Sequence, residues 1–374
     1  MMRILIGSDF FYPVLPGGGE RRMYEIGKRL AKNHEVHVIT RKVEGLPAFE
    51  THENMYIHRI YTPGKKATLL KFVDGLSFMG FGFLKTAGLG KFDVYAPQHF
   101  FPIPPLWMGA RIFDSPVVVT IHDVFFTKEW IANYGIGGYA MMAFEKLSLA
   151  IPYSKIVAVS NSTKEKLVAA GVSPGNIEVI PNGVDLNLFD SVKAEKSKKL
   201  RVIYVGRLIE YKHLDDLLLA FSKLKIDCEL YVVGVGYERE RLEKMARGLG
   251  ISKKVVFTGF VSDEEKIRLL KSSHIFVLPS TVEGFGIAVV EAMAAGVPTL
   301  CADIPALREV TENGRVGVLF RPRDVEELKE KLEKMASDEK LRKKLSEAGH
   351  KNVIEKYSWD RVATKMEEVL EKAI

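Results

Sequence analysis

Glu283-Gly284-Phe285-Gly286-Ile287-Ala288-Val289-Val290-Glu291 is the stretch whose reading decides the rest of the chain. Two glutamates bracket a loop in which Gly284 and Gly286 let a large anion come close to the backbone. A strong helix-forming segment starts near Gly286, so its first amides and positive dipole end face whatever occupies the loop. Glu291 falls about one turn into that helix, where a carboxylate can accept two hydrogen bonds from a vicinal diol. A diphosphate at the helix start with a ribose one turn along is the outline of a nucleotide.

Other parts of the chain fit the same ligand. Gly206-Arg207 ends the strand-like run from Arg201, and Lys212 opens a helix carrying Leu214, Leu217, Leu218 and Phe221. An arginine fork and a mobile ammonium at one strand end suit a diphosphate. In the first half, Gly17-Gly18-Gly19 follows the opening strand Arg3–Gly7 and precedes a helix from about Glu20, so its amides can approach a phosphate or sugar. His122-Asp123 ends the apolar run Val117–Ile121, and an imidazole there can bond a sugar hydroxyl or a developing charge. Ser160-Asn161-Ser162 and Pro181-Asn182-Gly183-Val184-Asp185 read instead as a helix cap and a turn. No Asp-x-Asp occurs, and no His/Cys/carboxylate cluster has ligand spacing. Compensation for a departing diphosphate therefore falls to Arg207, Lys212 and the amides after Phe285, and neither metal nor cofactor is expected.

Composition sets the class. The 374 residues, 47% hydrophobic and 27% charged, suggest two ordinary globular domains. Cys228 and Cys301 lie in apolar runs and read as core residues of a reducing compartment. The start shows no secretory pattern, and no run approaches the ~18–20 apolar residues of a span. A cytoplasmic protein, peripheral to the inner membrane face at most, is expected. Its net charge of +7 favours an anionic partner, but nucleic acid would rest on charge alone and is not expected.

Short β-branched runs alternate with helical ones, first at Val36–Ile39, Val117–Ile121, Ile156–Val159 and Ile177–Ile180, with helices over Arg21–Lys32, Glu129–Leu149 and Ser162–Ala170. After the basic stretch Ser191–Lys199 the pattern restarts at Arg201–Gly206. It continues through Leu230–Val233, Val255–Phe257, Ile275–Leu278, Thr299–Leu300 and Val316–Leu319. This predicts an α/β fold of two doubly wound domains, 1–190 and 191–358, with a hinge in 185–200 and a cleft at their strand ends. Three tail helices are expected over 324–336, 339–356 and 359–374.

Taken in order, these motifs resemble retaining nucleotide-sugar glycosyltransferases of family four, with the two-Rossmann GT-B fold. The resemblance also covers Val233-Gly234-Val235-Gly236 and Phe257-Thr258-Gly259-Phe260-Val261 and spans nearly the whole chain. It implies an N-terminal acceptor domain, a C-terminal donor domain, and a last helix that crosses back to the first domain. Arg207 and Lys212 would hold the donor diphosphate of a UDP- or GDP-sugar such as GDP-mannose, helped by Gly286, Ile287 and the loop Gly17, Gly18 and Gly19. Glu291 would take the ribose, and the loop with Phe260 and Val261 the base. Glu283 and His122 would hold the transferred sugar. The acceptor hydroxyl, on a glycan or lipid-linked sugar, would attack on the leaving-group face. One departure is His213, where the family often has glycine after the lysine.

The segment from Lys65 to Lys91 interleaves lysines with Leu69, Leu70, Phe72, Leu76, Phe81 and Leu84, so it reads as a face for an anionic membrane surface or as a core helix weakened by Gly75, Gly80 and Gly82. Rival readings are a nicotinamide oxidoreductase, a nucleotide-sugar epimerase of the same fold and a non-catalytic nucleotide-sugar binder. Gly234-x-Gly236 lacks the third glycine of the first, and Glu283 with His122 favours an enzyme over the last.

Overall fold

The computed structural model describes residues 1–15, 17–61, 68–98, 100–125, 130–131, 135 and 137–374, with the backbone alone for 68–74. The chain forms two compact units, Met1–Asn182 with Trp359–Ile374, and Gly183–Ser358.

Unit 1 begins with β1 (Arg3–Gly7), α1 (Gly18–Leu30), β2 (Glu35–Arg41), β3 (Phe49–His52), β4 (Met55–Ile60) and α2 (Thr68–Gly88). It continues with β5 (Val94–Pro97), α3 (Ile103–Ile112), β6 (Val118–Ile121), α4 (Gly137–Leu149), β7 (Lys155–Ala158), α5 (Asn161–Ala169) and β8 (Ile177–Val179). Strands pair in the orders β3-β4-β2-β1-β5 and β6-β7-β8, and the bridges Tyr95–Val117 and Gln98–Thr120 join β5 to β6. All these ladders are parallel except β3–β4. Because side chains alternate along a strand, β1 feeds two cores. Ile4 and Ile6 pack with Met23, Ile26 and Leu30 of α1, while Leu5 packs with Ile39, Tyr95 and Leu106 under α2 and α3.

Unit 2 runs α6 (Leu186–Ser191), β9 (Leu200–Val205), α7 (Leu214–Ser222), β10 (Cys228–Val233), α8 (Arg239–Gly248), β11 (Val255–Gly259) and α9 (Asp263–Ser272). Then come β12 (Ile275–Leu278), α10 (Ile287–Ala294), β13 (Thr299–Ala302), α11 (Pro305–Val310), β14 (Val318–Phe320), α12 (Val325–Ser337) and α13 (Glu339–Lys356). The parallel sheet has the order β11-β10-β9-β12-β13-β14, so the winding reverses between β9 and β12. The chain then returns to unit 1 as α14 (Trp359–Ala373), which buries Trp359, Val362, Met366 and Leu370 in the core beneath α1.

Several expectations need correction. The division falls at Asn182/Gly183, ahead of the 185–200 stretch, because Val184 N donates to Tyr357 O (2.7 Å) and Ser197 N to Ser272 O (3.0 Å), tying that stretch into unit 2. Helix α1 starts at Gly18 rather than Glu20. Strands β3, β4 and β5 were not expected; β3 is partly exposed and polar, and β5 ends in proline. The glycines of α2 do not break it. A Cβ on Gly75 would stand 2.2 Å from the Phe101 ring, and one on Gly109 of α3 would stand 2.2 Å from Thr86 Cγ2. Close approach of the two helices thus offsets the glycine cost. Residues 65–67 and the side chains of 68–74 lie outside the described residues, as does Glu129, where a helix was expected to begin.

Candidate active site

Strands β9 and β12 are neighbours, so their carboxyl-end loops share one edge of the sheet. Thr281 N donates to Tyr211 O (3.0 Å), and His213 Nε2 lies 3.0 Å from Thr281 Oγ1. The two loops are thereby zipped together. Across them Lys212 Nζ meets Glu283 Oε1 at 2.5 Å, with side chains only 11% and 12% exposed. Removing either partner strands a shielded charge.

Gly286 is the N-cap residue of α10, in the left-handed region (φ 93°), and offers no side chain to bond the helix start. The orphan amides of the first turn are thus not answered by a side-chain cap. A Cβ at 286 would come within 2.6 Å of Leu307 Cδ2, which reserves the position for glycine. Glu291, one turn along, takes an ion pair from Lys266 Nζ at 2.6 Å. The Phe285 ring is buried edge-on against Tyr357, with centroids 5.6 Å apart, so only its backbone faces the loop's chemistry. Phe260 stands exposed beyond β11, with Val261 half-buried beside it.

Arg207 is exposed and donates from Nη2 to Tyr211 Oη (2.7 Å), while Lys212 Nζ lies 5.5 Å from the same ring's centroid. Tyr211 therefore sets the spacing of the two cations. The Tyr204 hydroxyl donates to Arg207 O (2.8 Å); burial, with the Glu283 charge adding, pushes its ionisation well above the ordinary range. It acts as a fixed donor under the loop. Gly234 and Gly236 serve backbone pairing: Gly206 N donates to Val233 O (3.0 Å) and Leu208 N to Val235 O (2.9 Å). A Cβ at either glycine would stand 1.9 or 2.0 Å from a carbonyl oxygen of Gly206 or Leu208.

His213 keeps the left-handed backbone (φ 47°, ψ 45°) that a glycine would adopt. Its Nδ1 lies 2.5 Å from Arg323 Nη1, a donor, so Nε2 carries the proton towards Thr281. Burial, then the Arg323 charge, lowers its pKa, consistent with a neutral ring. His213, Asp215 and Asp216 converge within 4.8 Å, a grouping the sequence reading did not see. Arg323 stands among them, 2.8 Å from Asp216 Oδ2 and 3.6 Å from Asp215 Oδ1. The charge held by this cluster is a guanidinium.

In unit 1, Gly17 is the N-cap of α1 and makes no side-chain cap bond, while Gly18 and Gly19 are its first helical residues. His122 follows β6, with Nε2 2.8 Å from Gln98 Oε1. Asp123 Oδ1 accepts from Val124 N (2.9 Å) and Lys166 Nζ (2.6 Å). Ser160 caps α5, as the cap reading expects, whereas the stretch 181–185 forms no turn: Val184 bridges Ser358 and Asp185 caps α6. Tyr211, Lys266, Thr281 and Arg323 were missed because only the fold brings them to these loops; no local spacing marks them.

Two doubly wound units, one with cations gathered at its switch point, define a class of α/β protein. Residues 187–352 match the model for glycosyl transferases group 1, and residues 16–188 that for glycosyltransferase family 4. The chain is 31% identical over 299 residues to the MMP alpha-(1->4)-mannosyltransferase of Mycolicibacterium hassiacum, covering 76% of this chain and 72% of that one. Sucrose-phosphate synthase from Thermosynechococcus elongatus superposes with a TM-score of 0.88 at 20% identity, over 100% of this chain and 99% of that one. Anabaena HepE in complex with UDP-glucose gives 0.79 at 18% identity, over the whole of both chains. This chain belongs to glycosyltransferase family 4 and has the GT-B fold of two Rossmann-like domains. It is a transferase rather than an epimerase or a passive binder.

Proposed function

We propose that the chain moves a hexose from a UDP- or GDP-sugar to a hydroxyl acceptor on a glycan or lipid-linked sugar, with retention and without metal. The supporting observation is the Lys212–Glu283 pair at 2.5 Å, which unites the two loops that carry the cations and the α10 amides. Arg207, Lys212 and the amides of Gly286 and Ile287 hold the diphosphate, with the Gly17–Gly19 loop assisting from unit 1. Glu291 takes the ribose diol, and Phe260 and Val261 the base. Glu283 and His122 hold the sugar. The acceptor oxygen bonds the anomeric carbon as the carbon–phosphate oxygen bond breaks, and the acceptor proton passes to the departing phosphate. Charge compensation by prepositioned cations and dipoles supplies the rate. HepE, whose complex holds UDP-glucose, supports the donor class.

Thermal stabilisation and slow hydrolysis across a panel of nucleotide sugars identify the donor. With it, Arg207→Ala and Lys212→Ala are expected to cost about 2–4 kcal/mol in kcat/KM, since each removes fixed compensation. Chelator is expected to leave turnover intact. Unchanged turnover in both variants sinks the reading.

A membrane-bound acceptor is favoured by Leu76, Phe81 and Leu84 of α2 and Met108 and Ile112 of α3, all exposed, beside exposed Lys85 and Arg111. Among the described residues no helix is long and apolar enough to cross a membrane. Flotation with anionic liposomes, but not neutral ones, and its loss at high salt are expected; no binding to either removes this acceptor class.

A further inference from the structure

We propose that Gln98, set by Ser8, is a positioning residue that locks His122 in the Nε2–H tautomer. The three side chains sit where β1, β5 and β6 end on one edge. Gln98 N donates to Gly7 O (2.9 Å), and Gln98 bridges Thr120, two residues before His122. The direction of the bonds follows from counting protons. Ser8 is wholly buried and gives its single hydroxyl proton to Phe10 O at 2.7 Å. Towards Gln98, 2.5 Å away, Ser8 Oγ can therefore only accept. That fixes the amide: its nitrogen faces Ser8 and its oxygen faces His122. Gln98 Oε1 accepts from His122 Nε2 across 2.8 Å, so the ring proton belongs on Nε2. Gln98 is 1% exposed, and solvent does not compete for the amide.

The neutral ring's acceptor is then Nδ1, and any sugar hydroxyl it engages there must donate. This role rests on the reading of His122 as a sugar-binding residue. A ring free to exchange tautomers would present donor and acceptor in turn and orient the sugar less well.

The test uses the full chain with 15N-labelled histidine, following the imidazole nitrogens at a pH where the rings are neutral, with His122 assigned by His122→Asn. The native protein is expected to carry the proton on Nε2. Gln98→Leu and Ser8→Ala are expected to give averaged tautomers and a kcat about 10-fold lower, with donor KM within about twofold. Gln98→Glu keeps an acceptor towards His122 and is expected to retain the Nε2–H form, which separates positioning from packing. A native Nδ1–H form, or a tautomer unmoved in both Gln98→Leu and Ser8→Ala, overturns the assignment. A moved tautomer with unchanged kcat overturns the positioning role. Unchanged turnover in His122→Asn overturns the reading of the site itself and leaves the tautomer result standing.

Discussion

His213 occupies a backbone conformation that costs an L-residue roughly 1 kcal/mol and that glycine adopts freely. Two contacts hold it there, Thr281 on one ring nitrogen and Arg323 on the other. His213→Ala keeps the strain and loses both bonds, so a loss of about 1–3 kcal/mol in chemical denaturation of unit 2 is expected. His213→Gly loses the bonds but also the strain, and is expected to fall between Ala and the native protein. An alanine variant as stable as the native protein would refute this account. Lys212, Glu283 and Glu291 stand out as candidates in the sequence because charge and glycine spacing mark them. Their partners Tyr211 and Lys266 do not, since a tyrosine and a helix-surface lysine carry no signal until the sheet order brings them in.

At the level of elements, helix α2 makes two opposite predictions along one helix. Gly75→Ala would drive a methyl into Phe101 and is expected to cost about 1–3 kcal/mol. Gly80, with nothing within 4 Å of a built Cβ, is expected to gain about 0.5–1 kcal/mol as alanine. Thermal melts of the two variants check the signs. The same helix shows a limit of sequence reading: glycine content signals weakness, whereas which glycines face a neighbour depends on how Phe101 and α3 fold back onto it after β5.

The β2–β4 pair supplies a pH dependence. His58 is buried beside His37, their rings joined at 3.0 Å, and burial first, then the charges of Lys85 and His37, depress the His58 pKa from 6.5 to about 4. The folded state thus disfavours the proton more than the unfolded chain does. Its contribution is complete above pH ~6.5 and is lost as pH falls towards 4. With partial solvent screening, roughly 1–2 kcal/mol is expected to go over that window. Melts of His58→Gln should show a flatter acid slope than the native protein; an identical slope contradicts the assignment.

For the molecule as a whole, α14 is the critical element of unit 1. Trp359, Val362, Met366 and Leu370 are each buried to within 2%, and four such side chains are worth roughly 6–12 kcal/mol of transfer free energy. That rivals the ~5–15 kcal/mol stability of a typical domain. A chain ending at Ser358 is therefore expected to lose the melting transition of unit 1 while keeping that of unit 2. Two unchanged transitions would show the helix to be dispensable. The doubly wound architecture was readable because parallel strands buried on both faces appear as apolar runs. The polar β3, by contrast, looks like loop until β4 pairs with it.

Because unit 2 lies wholly between two segments of unit 1, the order of synthesis and the order of completion differ. A ribosome making this protein completes the whole of Gly183–Ser358 before the sixteen residues Trp359–Ile374. The enclosed unit can close on itself first, whereas the enclosing one waits, its apolar groove open, until Trp359–Ile374 has followed.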